Sequence, residues 1–209
     1  MKILETAVRR RRLYLLRFED GQEMTVDRQT FDESPYRVGM DITEEQLDAL
    51  LTASQYNRAR ERALYLLGLR DYATYELQQK LLTEAAPDIA AAVVERLTEV
   101  GLLDDAAYAR RLARHLTEYK QYPRRRVEQE LRRKGLAPDH VRDAVDALDG
   151  EDFSLALALL QKKYYNKVND PKGRQQVTAA LARRGFSYGA IRRAMEEFGL
   201  QNEENEPWQ

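Results

Sequence analysis

The feature that most constrains this chain is an internal repeat with a period near 50 residues. Leu77-x3-Leu81, Val127-x3-Leu131 and Val177-x3-Leu181 stand 50 positions apart. The second and third are followed by Arg132-Arg133-Lys134-Gly135-Leu136 and Ala182-Arg183-Arg184-Gly185-Phe186, and then by Val141, Ala144, Val145, Leu148 against Ile191, Ala194, Met195, Phe198. The first copy aligns with a one-residue offset through Ala90, Val93, Val94 and Leu97. Such a period is the mark of tandem supersecondary units that bury apolar faces against one another.

Each copy reads as three helices. In the second, Asp104 is expected to cap a helix carrying Tyr108, Ala109, Leu112, Leu116 and Tyr119. Pro123 stands at the start of the next helix, where its missing N–H costs little. Val127 and Leu131 face inward, Gly135 ends the helix in the left-handed conformation, and Pro138 opens the third. The third copy predicts helices over 153–165, 177–184 ending at Gly185, and 187–198 ending at Gly199, with a loop around Asn169-Asp170-Pro171.

Residues 1–40 read differently. Lys2–Val8, Arg12–Glu19 and Gln22–Asp27 are β-type runs, and Asp20-Gly21 between the last two predicts a type I′ hairpin turn. Three short strands need a second layer to rest on. Thr43 and Gln46 form a capping box, followed by Leu47, Leu50 and Leu51; whether this helix continues through 58–69 is open from pattern alone. The expected fold is mainly α: an elongated array of three tandem three-helix repeats with a small N-terminal β-sheet domain. Its expected divisions are 1–42 (β), 43–57 (connecting helix), 58–103, 104–149 and 150–200 (repeats), and 201–209 (acidic tail), with Trp208 unexplained.

Composition narrows the chemistry. There is no cysteine and there are two histidines, His115 and His140, on separate predicted helices, so neither a thiolate site nor a metal site is expected. No phosphate-loop, dinucleotide or zinc-protease motif occurs, and Asp104-Asp105 sits where helix N-termini prefer acids. The expectation is a non-enzyme with no cofactor, soluble and cytoplasmic, with no membrane-spanning run of apolar residues.

The formal net charge of −1 hides an asymmetry. Residues 1–57 carry −3 and 58–103 carry −1, whereas 104–148 carry +3 and 149–209 carry 0, or +3 without Glu203, Glu204 and Glu206. Arg124, Arg125 and Arg126 open one helix of the second repeat, and Arg132, Arg133 and Lys134 close it. Arg183 and Arg184 close the matching helix of the third, Arg192 and Arg193 lie on the next, and Lys162 and Lys163 flank the inter-helix loop beside Tyr164-Tyr165. Cations in a last helical turn also complement the helix dipole, a structural explanation for the end-of-helix arginines that accounts less well for Arg124–Arg126 at a helix beginning. The cluster Arg9–Arg12 can be read as a nucleic-acid arm or, since it precedes a strand, as a device that only keeps a sheet edge soluble. One of Tyr164 and Tyr165 is expected in the core.

Leu69-Arg70-Asp71-Tyr72-Ala73-x-x-Glu76-Leu77-x3-Leu81 and Val94-x-x-Leu97-x3-Gly101-Leu102-Leu103-Asp104-Asp105-x-x-Tyr108-Ala109 resemble the first repeat of the RecX family. Arg125-x-Val127-x-x-Glu130-Leu131-x3-Gly135-Leu136 resembles its second, and Leu181-x-Arg183-Arg184-Gly185-Phe186-Ser187-x3-Ile191 its third. The resemblance covers about 58–200, departing at Tyr122-Pro123, where a glycine is common, and at Ala73, where a serine is usual. It implies a regulator of the RecA recombinase, usually an inhibitor, that lodges as a monomer along the RecA filament on single-stranded DNA and blocks its extension, ATP hydrolysis and strand exchange. The contact residues expected are Arg124, Arg125, Arg126, Arg132, Arg133, Lys134, Lys162, Lys163, Arg183, Arg184, Arg192 and Arg193. Direct DNA binding through basic helical repeats is the competing reading. On the first, reversing Arg124–Arg126 to glutamate is expected to abolish inhibition and leave helical content intact.

Overall fold

A computed structural model describes residues 1–10, 12–148, 150–168 and 170–204, without the side chains of residues 10 and 200–204. Arg11, Asn169 and Trp208, singled out by the sequence, lie outside the described residues. The chain divides into two compact units, Met1–Asp104 and Asp105–Gln209.

The first unit opens with an antiparallel sheet of β1 (Ile3–Arg10), β2 (Leu13–Phe18) and β3 (Glu23–Asp27), in that order. The turn between β2 and β3 differs from the expected type I′. Among the described residues only Gln121 combines a side chain with positive φ, so Asp20 does not, while Gly21 has φ 82°. Gly21 N–H donates to the Phe18 carbonyl and Phe18 N–H to that of Gln22. This is the three-residue loop in which a type I turn ends in a left-handed glycine, and it needs positive φ at the glycine alone. On the solvent face Arg17 donates to Glu23 at 2.7 Å and Glu5 at 2.8 Å. Those two hydrogen bonds, Glu23's the larger, raise the guanidinium's pKa above its ordinary value.

The sheet rests on two helices, α1 (Arg28–Glu33) and the first half of α2 (Glu44–Leu69). Ile3, Leu16, Phe18 and Val26 meet Phe31, Ile42, Leu47 and Leu50 in one apolar cluster. Helix α1 was not legible in the β-type pattern; Asp27, the last residue of β3, caps it by accepting from Thr30 N–H at 3.0 Å. The Thr43–Gln46 capping box is present, and the apolar pattern continues without a break, so α2 is a single helix of 26 residues. Its second half contributes Ala59, Ala63 and Leu66 to a separate core with α3 (Thr74–Leu81) and α4 (Pro87–Glu99), built on Leu77, Leu81, Ala90, Val93, Val94 and Leu97. A polar seam ties α2 to the sheet and to α1: Asp27 N–H donates to Ser54 Oγ at 2.6 Å, buried, and Asn57 Nδ2 to Thr30 Oγ1 at 2.8 Å.

The second unit holds two copies of the three-helix plan. In one, α5 (Asp105–Glu118), α6 (Arg124–Arg133) and α7 (Pro138–Asp146) bury Tyr108, Ala109, Leu116, Val127, Leu131, Leu136, Val141 and Ala144. Tyr119, read from the sequence as part of this helix, lies just past its end, is 74% exposed and stacks on His115, with ring centroids 5.1 Å apart. In the other, α8 (Asp152–Leu159), α9 (Pro171–Arg183) and α10 (Tyr188–Glu204) bury Ala156, Leu159, Leu160, Val177, Leu181, Phe186, Ile191, Ala194 and Phe198.

Both α6 and α9 end alike. Gly135 (φ 79°) and Gly185 (φ 102°) are left-handed, and Leu136 and Phe186 return N–H bonds to Leu131 and Leu181. The same bonds close the helix and drop the next apolar residue into the core. Gly199 does not stop α10, which continues through Glu204. The helix predicted over 153–165 also changes character, because α8 passes into a π-helical turn (Leu160–Tyr164) and a 3₁₀ turn (Tyr165–Lys167). That widening puts Tyr164 against the core and leaves Tyr165 on the surface, edge-on to Phe198 at 5.6 Å. The 3₁₀ turn presses on α9 at Gly173, where an added Cβ would lie 1.8 Å from the Lys167 carbonyl oxygen. Gly173→Ala is therefore expected to cost about 1–3 kcal/mol of stability, as overpacking does, measured by urea unfolding of the whole chain.

Candidate partner-binding face

The basic residues singled out above separate into those that ion pairs or structural bonds occupy and those that none occupies. Arg124 belongs to the first group. Pro123, at the N-cap of α6, makes no side-chain cap bond. The cap comes from the next repeat, where Asp152 Oδ1 accepts Arg124 N–H at 3.0 Å. The Arg124 guanidinium turns the other way, onto the last carbonyls of α7 and the linker after it: Val145 O at 2.8 Å, Leu148 O, and Gly150 O at 3.2 Å. A planar fork of five donors suits several converging carbonyls. An arginine at a helix start, where the dipole disfavours it, is explained by what it caps elsewhere.

Other arginines are bound to carboxylates on their own surface. Glu130, whose side chain is only 13% exposed, accepts from both Arg126 and Arg133. Arg132 pairs with Glu128 at 2.6 Å and Arg192 with Glu196 at 3.8 Å. Arg193 pairs with Glu151 at 2.8 Å and lies over the Phe153 ring, 3.7 Å from its centroid. Lys134 also has a partner. In the first unit Arg12 pairs with Glu61, and Arg9 donates to Thr25 Oγ1, so that part of the Arg9–Arg12 cluster is engaged with its own fold.

Arg125, Arg183, Arg184, Lys162 and Lys163 carry no ion pair among the described residues. Three of them are gathered by packing that the linear repeat does not reveal. The end of α9 lies against the start of α6: a Cβ on Gly185 would stand 3.1 Å from Arg126 Cβ and 3.5 Å from Pro123 Cγ. Arg183 and Arg184, which the repeat equates with Arg133 and Lys134, thus come beside Arg125 and Arg126 instead. Arg125 and Arg183 are exposed, and Arg184 is half-buried. The third repeat reinforces them, since between Phe153 and Met195 the chain has nine lysines and arginines and one carboxylate, Asp170. Asp170 is itself engaged, accepting Gly173 N–H at 2.8 Å as the cap of α9. Arg192 and Arg193 among the nine are paired with Glu196 and Glu151, just outside that stretch, and the remaining excess of like charge attracts anionic surfaces.

No group of acidic residues and histidines able to hold a metal occurs among the described residues, and no helix there is long and apolar enough to cross a membrane. Asp152 escaped the sequence reading, as did the part that Glu130 and Gly185, known from the motif and as a helix end, play at the junction. The signal for Asp152 was Pro123 itself, because a helix start without a capping side chain must find its acceptor elsewhere.

Family models of the RecX first, second and third three-helix domains match residues 59–97, 104–145 and 150–195. Regulatory protein RecX of Clostridioides difficile is 28% identical over 160 residues, 75% of this chain and 76% of that protein. Regulatory protein RecX of Trichlorobacter lovleyi is 32% identical over 141 residues, 65% of this chain and 92% of that one. That of Vibrio cholerae is 32% identical over 139 residues, 66% of this chain and 91% of that one. A crystal structure of regulatory protein RecX superposes with a TM-score of 0.68 over 93% of this chain and 98% of that one, at 24% identity. RecX from Lactobacillus salivarius gives 0.64 over 71% and 99%, at 20% identity; at these identities the likeness speaks for the fold. With three domain models in order and relatives matched over nine-tenths of their length, the chain belongs to the RecX family of regulatory proteins.

Proposed function

We propose that this chain restrains the RecA recombinase, binding along its filament on single-stranded DNA and slowing filament extension, ATP hydrolysis and strand exchange. The observation that carries the reading is the basic face shared by two repeats of a RecX chain, with Arg125, Arg183 and Arg184 free of ion pairs among the described residues. A filament that contains DNA offers such a face anionic groups at regular intervals, and contacts to several protomers add through effective concentration. Lys162 and Lys163 extend the face, and Arg126 joins it only by giving up Glu130. Arg132, Arg133, Lys134, Arg192 and Arg193 contribute only after giving up a carboxylate or another partner. The protein acts by occupancy, as a monomer, and no step of chemistry is assigned to it.

The test is RecA ATP hydrolysis and strand exchange on single-stranded DNA, with and without the protein. Both are expected to fall as the protein is added to preformed filaments; rates unchanged at equimolar protein overturn the reading. The charge excess of the third repeat also supports direct DNA binding. Tight binding to a bare oligonucleotide, with a salt slope of about −0.7 per phosphate contacted, is the outcome that would favour it.

A further inference from the structure

We infer that Arg124 is a positioning residue, whose side chain and N–H hold the third repeat against the second and thereby assemble the basic face from its two halves. The inference rests on the proposed function for the use of that face, and on geometry alone for the joint itself.

Three links meet at one place. Arg124's guanidinium joins the last turn of α7 to the linker carbonyls of Leu148 and Gly150. Its N–H donates to Asp152 Oδ1, so the first residue of α8 caps a helix of the preceding repeat. On either side of Arg124, Pro123 and Arg126 receive Gly185, just beyond the end of α9. Arg193, bound to Glu151 and laid over Phe153, fastens α10 to the same stretch. The two halves of the face, Arg125–Arg126 and Arg183–Arg184, repel each other and cannot hold this arrangement by themselves. Arg124 and Asp152 supply attraction at half-buried positions, where it is less screened than at the surface. A lysine at 124 keeps the charge, but its single ammonium lacks the flat fork that reaches three carbonyls.

The chain has no cysteine, so spin labels on Gln129→Cys in α6 and Gln175→Cys in α9, both exposed, report the spacing of the two repeats. In the otherwise unaltered protein the distance distribution is expected to be narrow. With Arg124→Lys or Asp152→Ala it is expected to broaden at unchanged helical content, and half-inhibition of RecA ATP hydrolysis to need about tenfold more protein, a loss of 1.4 kcal/mol. Arg125→Ala is expected to weaken inhibition with the distribution unchanged, which separates touching the partner from positioning the face. A narrow, unshifted distribution in Arg124→Lys overturns the inference, as does a broadened one with full inhibition. If Arg124→Lys loses helical content, Asp152→Ala decides by the same criteria. Broadening in the variants while the parent protein leaves RecA untouched would uphold the joint and remove the proposed partner.

Discussion

Replacing Arg125, Arg183 and Arg184 together with glutamate is expected to weaken inhibition of RecA about a hundredfold, at unchanged helical content. An exposed charge contact is worth about 0.5 kcal/mol, and reversal turns attraction into repulsion of similar size, so three sites come to about 3 kcal/mol, or two powers of ten. None of the three carries an ion pair among the described residues, so no partner there is stranded. The effect should shrink as salt rises, because exposed charges are screened beyond about 8 Å at physiological ionic strength. Full inhibition by a well-folded triple variant would remove this face from the mechanism. Reversal of Arg124–Arg126, the experiment suggested by sequence alone, is not clean. A glutamate at 124 would face the carbonyls of Val145, Leu148 and Gly150, and one at 126 would face Glu130. Lost activity in that variant would report a damaged joint as readily as a lost contact.

Leu181→Ala is expected to destabilise the third repeat by about 2–5 kcal/mol, read as a lower urea midpoint by circular dichroism. Leu181 is fully buried and packs with Val177, Phe186, Ile191 and Phe198, so truncation leaves a cavity that short, mutually braced helices close poorly. Its carbonyl also accepts Phe186 N–H at the helix end, which makes the backbone there slow to relax. Amide exchange should quicken in α8–α10 and remain unchanged at Leu77, Leu81 and Val93, which belong to a separate core in the other unit. Equal loss of protection in both units would show that the chain unfolds as one.

The repeat was legible because the same physics acts on each copy. Val127, Leu131, Val177 and Leu181 recur at the spacing that puts them on one helical face, and all four are buried. Pro138 and Gly135 punctuate the helices because ring and missing side chain act through φ, a local property. Where two local solutions compete, the sequence could not choose. Asp20-Gly21 is compatible with either hairpin loop, and the register of β2 on β3 selects the one with a single left-handed residue. Gly199 is a weak helix former rather than a stop, and α10 runs through it. Tyr119 has helical spacing but lies near the end of α5, where it is exposed beside His115.

The candidate site was legible as composition and not as geometry. A run of arginines announces charge, but whether a guanidinium is free depends on residues distant in the chain: Asp152 and Gly150 for Arg124, Gly185 for Arg126, Glu151 for Arg193. From its own residues the chain determined the three copies, the inward faces, most helix boundaries and the N-terminal hairpin, because periodicity, capping and turn preference act over a few bonds. Only the tertiary structure decided which cations are occupied, which meet across two repeats, and why Gly173 must lack a side chain, because those answers turn on distances of a few ångströms between segments brought together by folding.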